Sequence, residues 1–144
     1  MRLWNGWGNE DSDLTMELSD GLRTLLEALV GSGTALSQAT LNEVIAKVPN
    51  TRLDDHQLIK TDPETRVRHA RGQSLPDWLE MHSGNVDTFP DGVAFPESSA
   101  QVRELLAHAK ENNLIVIPYG GGTSVVGHIN PETSDKPVLT IDMG

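Results

Sequence analysis

Leu114-Ile115-Val116-Ile117-Pro118-Tyr119-Gly120-Gly121-Gly122-Thr123-Ser124 decides how the rest of the chain is read. Its first five residues form a continuous apolar run, the pattern of a strand covered on both faces. Three successive glycines follow the run. Glycine accepts positive φ and lets a ligand approach the main chain, so this stretch reads as a strand that ends in a loop built for close contact. Upstream, Val93-Ala94-Phe95-Pro96 is a short strand candidate. Ser98-Ser99-Ala100-Gln101 then matches a capping box. Val102, Leu105, Leu106 and Ala109 mark the buried stripe of a helix, and Asn112-Asn113 suit a left-handed exit. Strand, capped helix and strand make a βαβ unit with parallel strands. Val138-Leu139-Thr140-Ile141-Asp142 is a third strand candidate. The fold class is therefore α/β, or α+β once the N-terminal helices are included.

Working outward, Leu22, Leu25, Leu26, Leu29 and Val30 fall on one face of an amphipathic helix, with Ser19 as cap and Gly31-Ser32-Gly33 as terminator. A second helix fits residues 40–48, capped by Thr40, striped by Leu41, Val44, Ile45 and Val48, and stopped by Pro49. Residues 1–20 show no period and read as an irregular arm anchored by Trp4 and Trp7. Residues 50–90 are polar and broken by Pro63, Pro76 and Pro90. Loops and short helices are expected there, including a turn of helix after Pro76 with Trp78 and Leu79 inward. The division expected is an N-terminal arm over 1–89 and a sheet-forming portion over 90–144.

The chain has 144 residues, 37% hydrophobic and 22% charged, and a formal net charge of -10. That field repels a phosphate backbone, so nucleic-acid binding is not expected. No cysteine is present, which removes disulfides, thiolate metal sites and a cysteinyl nucleophile. No apolar run approaches the roughly 18 residues of a membrane span. Met1 to Gly8 lacks the apolar core of a secretory signal, and a cytoplasmic location is expected. Because the chain stops directly after a strand-like run, it is expected to be part of something longer.

In the glycine loop, consecutive N–H groups can form a concave anion site, with Thr123 and Ser124 adding hydroxyl donors. Such a site grips a diphosphate by local geometry, which reconciles phosphate binding with an acidic chain. A Walker loop needs a Lys beside Ser/Thr after its last glycine, and none is present. A Rossmann fingerprint needs its third glycine where Val125 stands, followed by a helix that His128 to Pro137 cannot form. Asp142 lies where a ribose-binding acid would sit, which keeps a nicotinamide reading open. Strand, glycine loop, polar turn and strand is a different arrangement, one that presents loop amides without a helix dipole.

Pro90-Asp91-Gly92-Val93-Ala94-Phe95-Pro96, the capped helix, and Ile117 through Val125 together resemble the start of the FAD-binding domain of the vanillyl-alcohol-oxidase/PCMH superfamily. Trp4-Asn5-Gly6-Trp7-Gly8 and Arg66-Val67-Arg68-His69-Ala70-Arg71-Gly72 resemble segments of the alkyldihydroxyacetonephosphate synthase family and its bacterial FAD-linked oxidase relatives. The resemblance implies FAD as cofactor. It also implies a helical arm followed by the first βαβ-β part of the PCMH-type domain. Pro118, Tyr119, Gly120, Gly121, Gly122, Thr123 and Ser124 would hold the flavin diphosphate, with Tyr119 flanking the cofactor. It implies further that the parent protein is a flavin-dependent oxidoreductase or transferase acting on a small or lipid-like substrate, with a homodimer left open. In that family the acyl group of an acyl-dihydroxyacetone phosphate is replaced by a fatty alcohol. An FAD-linked 2-hydroxy acid dehydrogenase of the D-lactate or glycolate type is the alternative enzyme, and a catalytically inert truncated chain is the alternative outside enzymes. Family members are several times longer, so no catalytic residue is assigned to these 144 residues.

Other side chains carry less. Arg66, Arg68, His69 and Arg71 concentrate positive charge, and are read as a solvated segment pairing with Asp62 and Glu64, with an anion site as the competing reading. The five histidines lack metal-ligand spacing, and no metal is expected. His108 is expected to be exposed, and His128 to be a loop histidine close to the glycines. Asp11-Ser12-Asp13 and Asp54-Asp55 are read as caps or turns, and Trp78 as a packing anchor alongside Trp4 and Trp7.

Overall fold

The computed structural model describes residues 3–11 and 18–144. Ser12 and Asp13 of the first acidic pair lie outside the described residues. Five helices and four strands follow in the order α1 (Asp20–Val30), α2 (Leu41–Ile45), β1 (Ile59–Lys60), α3 (Pro63–Arg68), α4 (Leu75–Ser83), β2 (Gly92–Ala94), α5 (Ser99–Glu111), β3 (Ile115–Tyr119) and β4 (Val138–Asp142) among the described residues.

Local signals locate most helix starts. Ser19 accepts the Leu22 N–H at 3.3 Å to cap α1, and Gly31 ends it at φ 88. Thr40 and Glu43 close a reciprocal capping box on α2, and Ser74 and Asp77 do the same on α4. At α5, Ser98 accepts the Gln101 N–H, but the Gln101 side chain reaches past the cap to the Glu97 N–H at 2.6 Å. The exit from α5 is left-handed at Asn113, φ 55.

The sheet has the order β1-β2-β4-β3. β1 runs antiparallel to β2, and β2, β4 and β3 are mutually parallel neighbours. The βαβ unit of β2, α5 and β3 is thus split, with β4 inserted between its two strands. β4 takes the centre because its residues Val138 to Ile141 are buried, whereas Ile115 and Val116 on the edge strand β3 are half-buried. Both faces of β3 still pack. Val116 meets the Ala94, Leu105, Leu139 and Ile141 cluster, while Ile117 and Tyr119 pack with Val138 and Ile129. From α5, Leu105 and Ala109 are buried, Val102 is half-buried and Leu106 is exposed, so the stripe is narrower than expected. His108 is half-buried, its ring centroid 4.5 Å from that of His56.

A separate apolar cluster of Val44, Val67, Ala70, Met81, Val86 and Phe89 joins α2, α3 and α4, with Trp4 and Trp78 packed against it. Trp7 is 54% exposed, so Trp4 is the residue that anchors the arm. Leu79 is exposed too; Met81 and Asp77 are the buried residues of α4. Helix α1 buries no residue at all.

The basic segment departs most from expectation. Arg66 is 2% exposed and Arg71 is 6% exposed, so neither is a solvated surface charge. Arg66 donates through Nε to Pro90 C=O at 2.6 Å and through Nη1 to Pro49 C=O at 2.7 Å. Arg71 bonds to Glu80, Asp87, Thr88 and the Ala70 carbonyl. Only Arg68 behaves as expected, pairing with Glu64 at 2.9 Å and with Glu10 at 3.2 Å. The two buried guanidiniums act as multi-donor struts that satisfy loop carbonyls, a use that suits the planar five-donor group.

Candidate functional site

β3 delivers the chain to the glycine loop at the end of the parallel strands. Tyr119 pairs with Asp142 in the last register of β3 and β4, and the Met143 N–H donates to Tyr119 C=O at 2.8 Å. Beyond that point the loop leaves the sheet, and residues 120–137 contain no helix. Pro118, Gly120, Gly121, Gly122, Thr123, Ser124, His128 and Ile129 line one cavity of about 270 Å³. It therefore gathers six of the seven residues expected to hold a diphosphate. Tyr119 is set apart. Its ring is buried 4.6 Å from that of His69, and it lines a second cavity with Arg68, His69 and Asp142.

Among the described residues, no protein acceptor takes the N–H groups of Gly121, Gly122, Thr123 or Ser124. Four successive donors at an open cavity are the material of an anion site. The glycines themselves point outward for their explanation. Gly122 needs to be glycine for its backbone, at φ 66. Gly120 does not, since a Cβ there would meet nothing within 4 Å, and at Gly121 it would meet only the Thr123 methyl at 3.8 Å. The protein's own packing leaves those two positions free to carry side chains. A ligand lying against the main chain is what would exclude them. No carboxylate lines the cavity, so the overall charge of -10 is not focused there.

The side chains around the loop are already partly engaged. Ser124 Oγ lies 3.3 Å from His128 Nδ1 and accepts the Val126 N–H at 3.4 Å. Ser124 C=O accepts the Gln73 N–H at 2.6 Å. Gly72 N–H donates to Asn130 Oδ1 at 3.0 Å, and Asn130 Nδ2 donates to Asp77 Oδ1 at 2.6 Å. A Cβ on Gly72 would run into the Ser124 carbonyl oxygen. Gly72, Gln73, Asp77 and Asn130 were not legible as loop partners, because the contacts bridge more than fifty residues of sequence. Asp142 is likewise occupied: Oδ2 lies 3.1 Å from His69 Nε2, and Oδ1 accepts the Gly144 N–H.

A family model described as FAD binding domain matches residues 90–143, the span from β2 through the glycine loop to the end of β4. The chain is 35% identical over 85 residues to alkyldihydroxyacetonephosphate synthase of Dictyostelium discoideum, covering 59% of this chain and 14% of that protein. It is 27% identical over 168 residues to the enzyme of the same name from Caenorhabditis elegans, covering 97% of this chain and 28% of that protein. A solved alkyldihydroxyacetonephosphate synthase structure superposes with a TM-score of 0.74 at 25% identity, covering 99% of this chain and 32% of that one. Residues 90–143 of the chain match the FAD binding domain family, and the whole chain has the fold of the corresponding part of alkyldihydroxyacetonephosphate synthase.

Within this flavoprotein family its resemblance is to alkyldihydroxyacetonephosphate synthase, and FAD is the cofactor. A more distant likeness, 33% identity over 101 residues, is to the mitochondrial cytochrome D-lactate dehydrogenase of Arabidopsis thaliana, covering 70% of this chain and 16% of that protein. The flavoprotein assignment rests on sequence and fold. Among the described residues, no helix is long and apolar enough to cross a membrane.

Proposed function

We propose that the main-chain N–H groups of Gly121 to Ser124, with the Thr123 hydroxyl, hold the diphosphate of FAD. The observation that carries this is the pair Gly120 and Gly121, whose lack of side chains nothing inside the protein requires. The loop binds by directed dipoles. The N–H groups compensate the phosphate charge without a basic residue, so affinity should depend weakly on salt compared with a Lys/Arg site. Bound FAD supplies the redox chemistry, and the chain's task is to bind and orient it.

For the protein as a whole we propose an activity of the alkyldihydroxyacetonephosphate synthase type on a lipid-like substrate. What supports it is that the similarity extends through the N-terminal arm and the α3 segment, over 97% of this chain in the nematode enzyme. A flavin-linked oxidation of a D-2-hydroxy acid is the second reading, supported by the likeness to D-lactate dehydrogenase. The two separate on substrate. Bleaching of the flavin band by D-lactate under anaerobic conditions marks the second. Exchange of a labelled fatty alcohol into an acyl-dihydroxyacetone phosphate marks the first.

Gly121→Val tests the loop. The position has ordinary backbone and open space, so the variant should fold with an unchanged melting temperature. It should lose FAD, measured by flavin absorbance after gel filtration. Retention of stoichiometric flavin by the folded variant would remove the loop from the binding site.

A further inference from the structure

We infer that Gly72, Asp77 and Asn130 are positioning residues that hold the glycine loop from behind in its binding shape, an inference that rests on the assignment of that loop to the flavin diphosphate. None of the three lines the cavity. They reach the loop through a short relay. Asp77 caps α4, its Oδ2 accepting the Ser74 N–H at 2.9 Å and the Ser74 hydroxyl at 2.6 Å. Its other oxygen, Oδ1, accepts from Asn130 Nδ2 at 2.6 Å, and Asn130 Oδ1 in turn accepts from Gly72 N–H at 3.0 Å. The next residue, Gln73, donates its N–H to Ser124 C=O at 2.6 Å. The far side of the glycine loop is thereby tied at both ends, at Ser124 and at Asn130.

The orientation of Asn130 is set by its partners. A backbone N–H on one side demands the amide oxygen, and a carboxylate on the other demands the amide NH2. Asp77 is 3% exposed, so this is a buried contact with a charged acceptor, the stronger kind of hydrogen bond. Gly72 must be glycine because the Ser124 carbonyl oxygen stands where its Cβ would be.

The consequence for binding follows from two costs. Ordering a free glycine-rich loop around a ligand costs backbone entropy at every residue fixed, and a loop already tied has lost much of that freedom. The second cost is electrostatic. The Ser124 carbonyl is the acceptor that would repel a phosphate next to the donor run, and its bond to Gln73, which lies outside the cavity lining, keeps it engaged elsewhere.

An exchange of donor and acceptor tests the relay. Asn130→Asp sets two carboxylate oxygens against each other, and Asp77→Asn sets two amide donors at the same contact. The double variant Asp77→Asn/Asn130→Asp restores one donor and one acceptor and keeps the net charge. Asn130→Ala removes the contacts without burying a new charge, in case a single exchange does not fold. Two readouts are taken on the full chain: FAD affinity by quenching of flavin fluorescence, and loop exchange, meaning amide hydrogen exchange without ligand at Gln73, whose N–H bond to Ser124 C=O ties the loop. Each single variant should weaken FAD binding and speed loop exchange by about tenfold, the equivalent of one such bond. Exchange in β4 and α5 should not change, and the double variant should recover both readouts. Single variants with unchanged loop exchange, or a double variant that recovers neither readout, overturn the inference. Loss of flavin in Gly121→Val together with wild-type affinity in Asn130→Ala would sink the relay and leave the flavin site standing. Flavin retained in Gly121→Val would sink the flavin site, while loop exchange would still report on the relay.

Discussion

Asp91 faces Arg52 across 2.7 Å, and the same carboxylate oxygen accepts the Val138 N–H at 2.7 Å. One buried carboxylate thus ties the residue before β2 to the first residue of β4 and to the segment ahead of β1. Burial pushes this carboxyl up, but the Arg52 guanidinium and the amides of Val138 and Arg52 favour its ionised form and hold it below its ordinary value. A carboxyl depressed in the folded state stabilises the fold fully above its unfolded value, near about 4. That contribution is lost as pH falls through the lower folded value. The Arg52 side chain is 44% exposed, so Asp91→Asn should cost about 2 kcal/mol at pH 7, the scale for weakening hydrogen bonds to a charged group rather than for stranding a buried charge. The gap from wild type should shrink toward pH 3 in urea unfolding, and a gap independent of pH would contradict the assignment.

Thr140 is fully buried at the centre of the sheet, and among the described residues its hydroxyl has no hydrogen-bond partner. An unpaired buried hydroxyl is a net cost. Thr140→Val keeps the shape and removes the unsatisfied group. It should raise unfolding free energy by about 1 kcal/mol. A loss of stability would show that the hydroxyl is satisfied in solution.

Leu25 and Leu29 are 54% and 71% exposed on α1, which buries nothing. Replacing both with Ser should leave the unfolding of the remaining structure within about 0.5 kcal/mol of wild type, followed by tryptophan fluorescence of Trp4 and Trp78. A larger loss would mean that the helix packs on the body of the protein.

What the sequence makes legible here is what local chemistry encodes. Ser19, Thr40 and Ser98 are caps because each lies three residues before the N–H that it accepts. The glycine triplet stands out for the same reason, as a run whose backbone freedom is visible residue by residue. The insertion of β4 between β2 and β3 is not local. An apolar run marks β3 as a strand but says nothing about which neighbour it takes, and the more polar-looking β4, with Thr140 and Asp142, is the one placed centrally. Arg66 and Arg71 read as solvated charges in the sequence because burial of a guanidinium depends on acceptors far along the chain. For Arg66 these are the carbonyls of Pro49 and Pro90. The relay through Gly72, Asp77 and Asn130 was hidden by the same distance.

The most direct measurement is a 1H–15N correlation spectrum of the chain titrated with FAD. Binding through main-chain donors predicts that the amide resonances of Gly121, Gly122, Thr123 and Ser124 move first and furthest, with the α1 amides unmoved. Saturable shifts that spare these four amides and fall elsewhere would contradict the assignment of the diphosphate to the glycine loop.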